Sequence, residues 1–365
     1  MVNELIDALR ILGSTNTQTR RLGYVVQICK LLADNYAPVT VLQKRIEGWA
    51  EDNNSALENH VSDKGRLSRS SRSYGSRRYI QLAQDLNLIT NVSGYLRPTI
   101  TGHVLLELDD ESHEDNPFKL GHGTALLLFY QLLLLDADYL LPTLQLTRFH
   151  HRQDQLLETY RDMLSNRFGI METQVRSLLL RSEVHERLQA IAQWTKPLKY
   201  LEHIVLPRLH WLLDLELLDW NSFQALREFE PSSSGVYFLD QVPVTEGHLF
   251  IDRMWCQDAL FSVWAQGFGF DYTLWHSLSE DSQALLIEEY VDVGFRLFHT
   301  EIHYRISAYQ LVLFIILKLL FERKVLAGFE DIKKALNKFS KSGHIRWSFF
   351  WSAIDDDGYL ILLDR

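Results

Sequence analysis

The stretch KGRLSRSSRSYGSRR, Lys64 to Arg78, is the part of the chain richest in groups that bind anions. Lys64, Arg66, Arg69, Arg72, Arg77 and Arg78 supply positive charge, and no Asp or Glu lies between Asp63 and Asp85. Ser68, Ser70, Ser71, Ser73 and Ser76 add hydroxyl donors, and Tyr74 adds a ring able to stack. Phosphate contacts from Arg, Lys and Ser set both affinity and orientation on a nucleic acid, and counterion release supplies much of the energy. Nucleic acid is therefore the expected ligand. A docking site for an acidic protein partner and a solvated basic loop are the competing readings.

A second basic run, Lys333, Lys334, Lys338, Lys341 and Arg346, also lacks an intervening acid. A solvated lysine face on an amphipathic helix is the commoner origin of such a run. Catalytic patterns are weaker. His299, Glu301 and His303 (HTEIH) put two histidines four residues apart, but Thr300 stands where a metalloprotease carries its glutamate. Asp355 to Asp357 lack the ligand spacing of a calcium loop and read as a turn. Asp331 and Lys333 match only a fragment of an acid-acid-lysine nuclease site. There is no GxxxxGK[ST] loop, GxSxG elbow or paired CxxC. A non-catalytic protein without cofactor or metal is expected.

The elements that must position the basic segment follow from periodicity. Apolar spacing predicts helices over residues 5–12 and 21–33, the second through Leu22, Val25, Val26, Cys29, Leu32 and Ala33. Thr40 can cap a helix over Val41 to Trp49, and the polar stretch Glu51 to Asn59 reads as a loop or frayed helix. After the basic segment, Tyr79 to Leu86 continues as a helix. Leu88-Ile89-Thr90 begins a strand, Asn91 to Gly94 turns, and Tyr95-Leu96-Arg97 returns before Pro98.

A helix with a basic start, a short apolar strand, a glycine turn and a returning strand resembles the winged-helix variant of the helix-turn-helix, over residues 17–107. The resemblance implies a recognition helix in the major groove and Arg97 on the wing, against the backbone or minor groove. Asp85-Leu86-Asn87-Leu88-Ile89-Thr90 recurs in pattern as Asp214-Leu215-Glu216-Leu217-Leu218-Asp219. Ser93-Gly94-Tyr95-Leu96 is matched to Ser234-Gly235-Val236-Tyr237-Phe238, and Thr101-Gly102-His103-Val104-Leu105 to Thr245-Glu246-Gly247-His248-Leu249. Matched elements in one order suggest two copies of a unit. The second carries only Lys196, Lys199 and Arg208, with His203 and His210, and reads as an adaptor or dimer surface.

The expected fold is thus mainly α with short β-hairpins: tandem winged-helix-like modules joined by a helical core. A winged-helix module with the basic segment spans 1–107, and an acidic linker with a helical connecting core spans 108–194. A second winged-helix-like module spans 195–255, and a helical domain ending in a hairpin spans 256–365, with Asp357-Gly358 in its turn.

Hydrophobic residues at 46% with only 8 Pro argue for packed domains rather than disordered arms. The net charge of −10 excludes non-specific nucleic-acid binding over the whole surface. Yet thirteen Lys and Arg meet ten Asp and Glu up to Glu107, a balance of +3 that leaves −13 for the remainder. Cys29 and Cys256 are too far apart for a metal pair and read as reduced thiols of a cytoplasmic protein. The first residues lack an export signal, and the apolar runs Thr124 to Leu135 and Leu311 to Phe321 are shorter than a bilayer span, so no membrane partner is expected.

The expected partner is duplex DNA, with a protein partner or homodimer as the alternative. Tandem winged-helix chains of this size look like accessory subunits of bacterial genome-maintenance or anti-phage (antiviral defence) complexes, which makes an assembly subunit the second reading. A metal-dependent nuclease is the third.

Overall fold

The computed structural model describes residues 8–33, 35–58, 66–67, 74–109, 116–221, 228–298, 305–341, 346–352 and 356–363. The chain is mainly helical with small sheets. Its first unit runs α1 (Leu22–Lys30), β1 (Ala37–Pro38), α2 (Val39–Asp52), α3 (Asn54–Glu58), α4 (Tyr74–Asp85), β2 (Ile89–Val92), β3 (Tyr95–Pro98) and α5 (Ile100–Leu108). A second series follows: α6 (His122–Leu146), α7 (Gln153–Gln174), α8 (Leu178–Ala192), α9 (Pro197–Asp214), β4 (Leu218–Asn221), β5 (Glu228–Pro231) and α10 (Ser233–Gln241).

The rest comprises β6 (Val244–Thr245), β7 (His248–Leu249), α11 (Arg253–Asp258), α12 (Leu260–Gly267), β8 (Thr273–Leu274) and α13 (Glu280–Phe298). It ends with β9 (Arg305–Ser307), α14 (Ala308–Arg323), β10 (Val325–Leu326), α15 (Phe329–Ser340), β11 (Trp347–Ser352) and β12 (Asp357–Leu362). One hydrophobic core cluster reaches from Leu12 to Leu360.

The two series share one corner. α4 ends in a left-handed residue, Asn87 (φ 56°), and the Leu88 N–H reaches back to the Ala83 carbonyl. α9 ends the same way at Glu216 (φ 57°), with the Leu217 N–H on the Leu212 carbonyl. Such 6→1 bonds satisfy carbonyls that a helix end leaves open. A hairpin follows each corner, pairing Ile89 with Pro98 and Leu218 with Pro231.

Thr99 and Ser232 then cap α5 and α10 by accepting from the N–H of Gly102 and Gly235. The same hydroxyls donate back to the carbonyls of Asn87 and Glu216. A further pairing adds to the likeness: β1 pairs with β3, and Arg152, just before α7, makes a single bridge to Glu228 of β5. The recurring elements of the second series therefore begin at α6, well before residue 195.

This geometry corrects two of the three sequence matches. Gly102 corresponds to Gly235, because at each a Cβ would lie 2.1 or 2.0 Å from a carbonyl oxygen, that of Leu88 or Leu217. Ser93-Gly94 is instead a hairpin turn, and Thr245 to His248 is the separate β6–β7 hairpin.

Residues 8–12 are not helical, and residues 1–7 lie outside the described residues. The backbone N–H groups of Arg10 and Leu12 donate to Asp138 and Asp136 of α6, at 2.8 and 2.9 Å, in place of helical carbonyls. α2 begins at Val39, ahead of Thr40, because β1 leads straight into it. The polar stretch after it is largely helical: α2 runs to Asp52, and α3 follows. At the chain's end Gly358 is not the turn glycine. It sits inside β12 opposite Trp351, where a Cβ would meet the Phe350 carbonyl at 1.9 Å, and Asp356 carries the positive φ.

The apolar run from Thr124 belongs to the longer α6, which by length and composition alone would suffice to cross a membrane. However, 89% of its apolar window is buried against the rest of the chain, and it carries two buried aspartates, Asp136 and Asp138. Both cysteines are buried, and burial pushes the Cys29 thiol up to about 12.

Three buried ion pairs bind the elements together. Arg208 of α9 grips Asp136 through two 2.6 Å bonds, Arg167 of α7 meets Asp138 at 2.7 Å, and Arg21 meets Asp214 at 2.8 Å. Asp214 also accepts from the Leu22 N–H at 2.8 Å, so the end of α9 caps the start of α1. Removing one member strands a buried charge, which typically costs about 3–5 kcal/mol. Asp214→Ala is therefore expected to lower the unfolding free energy by that order in denaturant titration. Gly102→Ala and Gly235→Ala should each cost about 1–3 kcal/mol or more, since backbone blocks the added methyl. If Gly235→Ala leaves the midpoint unchanged, the shared corner is wrongly drawn.

Candidate nucleic-acid interface

α4 is amphipathic. Tyr79, Ile80, Leu82 and Ala83 are buried with Ser76, while Tyr74, Arg77 and Gln81 form an exposed stripe one helical turn apart. Basic residues in a first turn oppose the helix macrodipole. The helix is held there by other means. The Ser76 hydroxyl donates to the buried Glu47 carboxylate of α2 at 2.6 Å, and the Tyr79 hydroxyl accepts from the N–H groups of Arg20 and Arg21 at 3.0 Å. Burial holds the Tyr79 phenol well above its ordinary pKa, so it stays protonated.

Arg78 lies over the Tyr74 ring, 5.0 Å from its centroid, and donates to the Tyr74 hydroxyl at 2.9 Å. Arg77 is exposed, and neither arginine meets a carboxylate among the described residues. The positive end of α4 thus carries two guanidiniums whose charge is not neutralised locally. Helix N-termini with such groups favour anions.

Upstream, Leu67 is buried, and its N–H donates to the Tyr24 hydroxyl at 3.1 Å, which places Arg66 at the surface beside α1. Burial raises the Tyr24 pKa, with the Leu67 N–H and the Arg66 charge opposing it. Lys64, Arg69 and Arg72 lie outside the described residues.

The β2–β3 hairpin turns at Ser93-Gly94 with φ of 53° and 88°, the two-residue turn that suits twisted strands. Arg97 is exposed on β3 opposite Thr90, and Val92 and Tyr95 pair at the exposed tip.

The second basic run is different. It lies on and just beyond α15, whose apolar face, Phe329, Ile332, Ala335, Leu336 and Phe339, is buried. Lys333 pairs with Glu330 and lies over Trp351, and Lys338 pairs with Glu280 at 2.7 Å. Lys334, Lys341 and Arg346 are exposed. Asp331 accepts from the Gly328 N–H at 3.0 Å as a helix cap, so Asp331 and Lys333 are each engaged in helix contacts. His299, Glu301 and His303 lie outside the described residues, and no cluster of metal-ligating side chains occurs among the described ones.

In the second series the offset that takes Asp85 to Asp214 takes Arg77 and Arg78 to Leu206 and Pro207, both buried. Arg208 and His210 are buried as well, while Lys196 and Lys199 stay exposed. The chain matches no family model, no curated protein and no solved structure.

The Tyr24–Leu67 bond is the tether of the basic segment to the core. Tyr24→Phe is expected to cost about 1 kcal/mol of stability and to speed tryptic cleavage after Arg66. Unchanged cleavage would show that the bond does not hold the segment.

Proposed function

We propose that residues 17–107 form a winged-helix module that binds duplex nucleic acid, DNA above all, without catalysing a reaction. The observation that carries this reading is the start of α4, where exposed Tyr74 and Arg77 and half-buried Arg78 lack any carboxylate partner among the described residues. The order of elements supports it: four helices, the short α3 among them, then a hairpin whose inner strand also pairs with β1. In this reading α4 enters the major groove, Arg66, Arg77 and Arg78 contact phosphates or base edges, and Arg97 reaches the backbone from the hairpin. Lys64, Arg69 and Arg72, outside the described residues, belong to the same basic stretch of the sequence. The second series, with its equivalent positions buried, serves as scaffold.

An adaptor role is the second reading. It is favoured by Leu178 and Leu179 at the start of α8, 77% and 81% exposed, which offer an apolar contact to a protein partner.

Fluorescence anisotropy with labelled duplex DNA across a salt series tests the first reading. Arg77→Ala/Arg78→Ala is expected to weaken binding and reduce the slope of log affinity against log salt by about two, near one unit per phosphate contact. Equal affinity and slope in the variant would remove the assignment.

A further inference from the structure

The first turn of α4 also forms one wall of a groove of about 440 Å³. The opposite wall comes from α8, α9 and their connection, and the segment from Ile11 to Asn16, which turns at Gly13-Ser14, contributes to the lining. Tyr74 and Arg78 face Arg187, Trp194, Tyr200 and His203 across this space. No acidic side chain lines it among the described residues. Arg187 bears on Tyr139, another lining residue, by its charge, and has no carboxylate partner among the described residues.

Trp194 and Tyr200 are stacked, with ring centroids 5.6 Å apart and planes inclined by 17°, and Tyr200 is 47% exposed. The Thr17 N–H donates to His203 Nδ1 at 3.3 Å, which leaves the proton of the neutral ring on Nε2.

Other concavities have a different character. The one beside the second hairpin is lined by Glu216 and Asp219, and the one at the C-terminal sheet contains Asp357. The first would repel a polyanion, and the second sets one guanidinium, Arg305, against one carboxylate, Asp357. The groove beside α4 joins two unneutralised guanidiniums to a stacked aromatic pair, the combination with which proteins hold unpaired nucleotides.

We propose that this groove takes an unpaired nucleotide of a single-stranded nucleic acid. Its base extends the Trp194–Tyr200 stack, and its phosphate lies between Arg78 and Arg187. The inference deepens the nucleic-acid reading of α4 and shares Tyr74 and Arg78 with it, but Arg187, Trp194 and Tyr200 belong to the groove alone. A duplex with a single-stranded overhang would engage both surfaces.

The test is anisotropy titration of the full chain with a fluorescein-labelled short oligothymidylate and with a blunt duplex. Arg187→Glu and Tyr200→Ala are expected to weaken oligothymidylate binding on the order of tenfold or more and to leave the blunt duplex unaffected. Tyr200→Phe, which keeps the ring face, should retain binding. Arg77→Ala/Arg97→Ala should do the reverse, weakening the duplex and sparing the single strand.

Loss of only the duplex result would remove the winged-helix reading and keep the groove. Oligothymidylate binding that is absent, or equal in Arg187→Glu and wild type, overturns the groove assignment. Displacement of the oligothymidylate by polyglutamate as readily as by unlabelled oligothymidylate also overturns it, in favour of an acidic protein segment.

Discussion

Asp136, Asp138 and Asp214 hold the N-terminal segment and the first residue of α1 against the helices, and the relation between the two halves of the fold depends on them. Each carboxylate has two tasks. It neutralises a buried arginine, and it accepts from a backbone N–H of the segment, that of Leu12, Arg10 or Leu22. Buried ion pairs bring little net stability against apolar replacements, because desolvation offsets their attraction. Their value here is positional: any slip of the segment would leave both a charge and a peptide group unsatisfied in the core. The same segment supplies part of the groove lining, and Trp211 fixes it further by donating to the Thr19 carbonyl at 2.7 Å.

The shared corner shows how one piece of backbone chemistry has been put to two uses. After α4 and α9 the chain makes the same left-handed turn, the same hairpin and the same hydroxyl cap, with a glycine where the next helix passes a carbonyl. What differs is the helix before the corner. In α4 the start is basic and open to solvent. In α9 the matching residues are Leu206 and Pro207, packed inside. The first corner leaves the start of its helix exposed, and the second buries the matching residues in the core.

Much of the first unit was legible because its signals are local. The α1 and α4 periodicities, the strand after Asn87 and the Ser93-Gly94 turn each depend on a few neighbouring residues. The helix expected over residues 5–12 was misread because its apolar spacing is real, yet distant aspartates on α6 outcompete helical carbonyls for Arg10 and Leu12. Gly94 and Gly235 looked alike in sequence; only the carbonyl facing Gly235 separates a turn glycine from a close-approach glycine. Arg77 and Arg78 were visible as charges. Arg187, Trp194 and Tyr200 were not, because they are scattered over α8, α9 and their connection, and gain meaning only when the fold sets them opposite Tyr74.

Hydrogen-exchange footprinting of the full chain, free and bound to a DNA duplex bearing a single-stranded overhang, tests the account most directly. Slowed exchange is expected in the first turns of α4, in the β2–β3 hairpin and from Arg187 to His203, with α15 unchanged. Protection confined to α15 and the C-terminal sheet, or none anywhere, would contradict it.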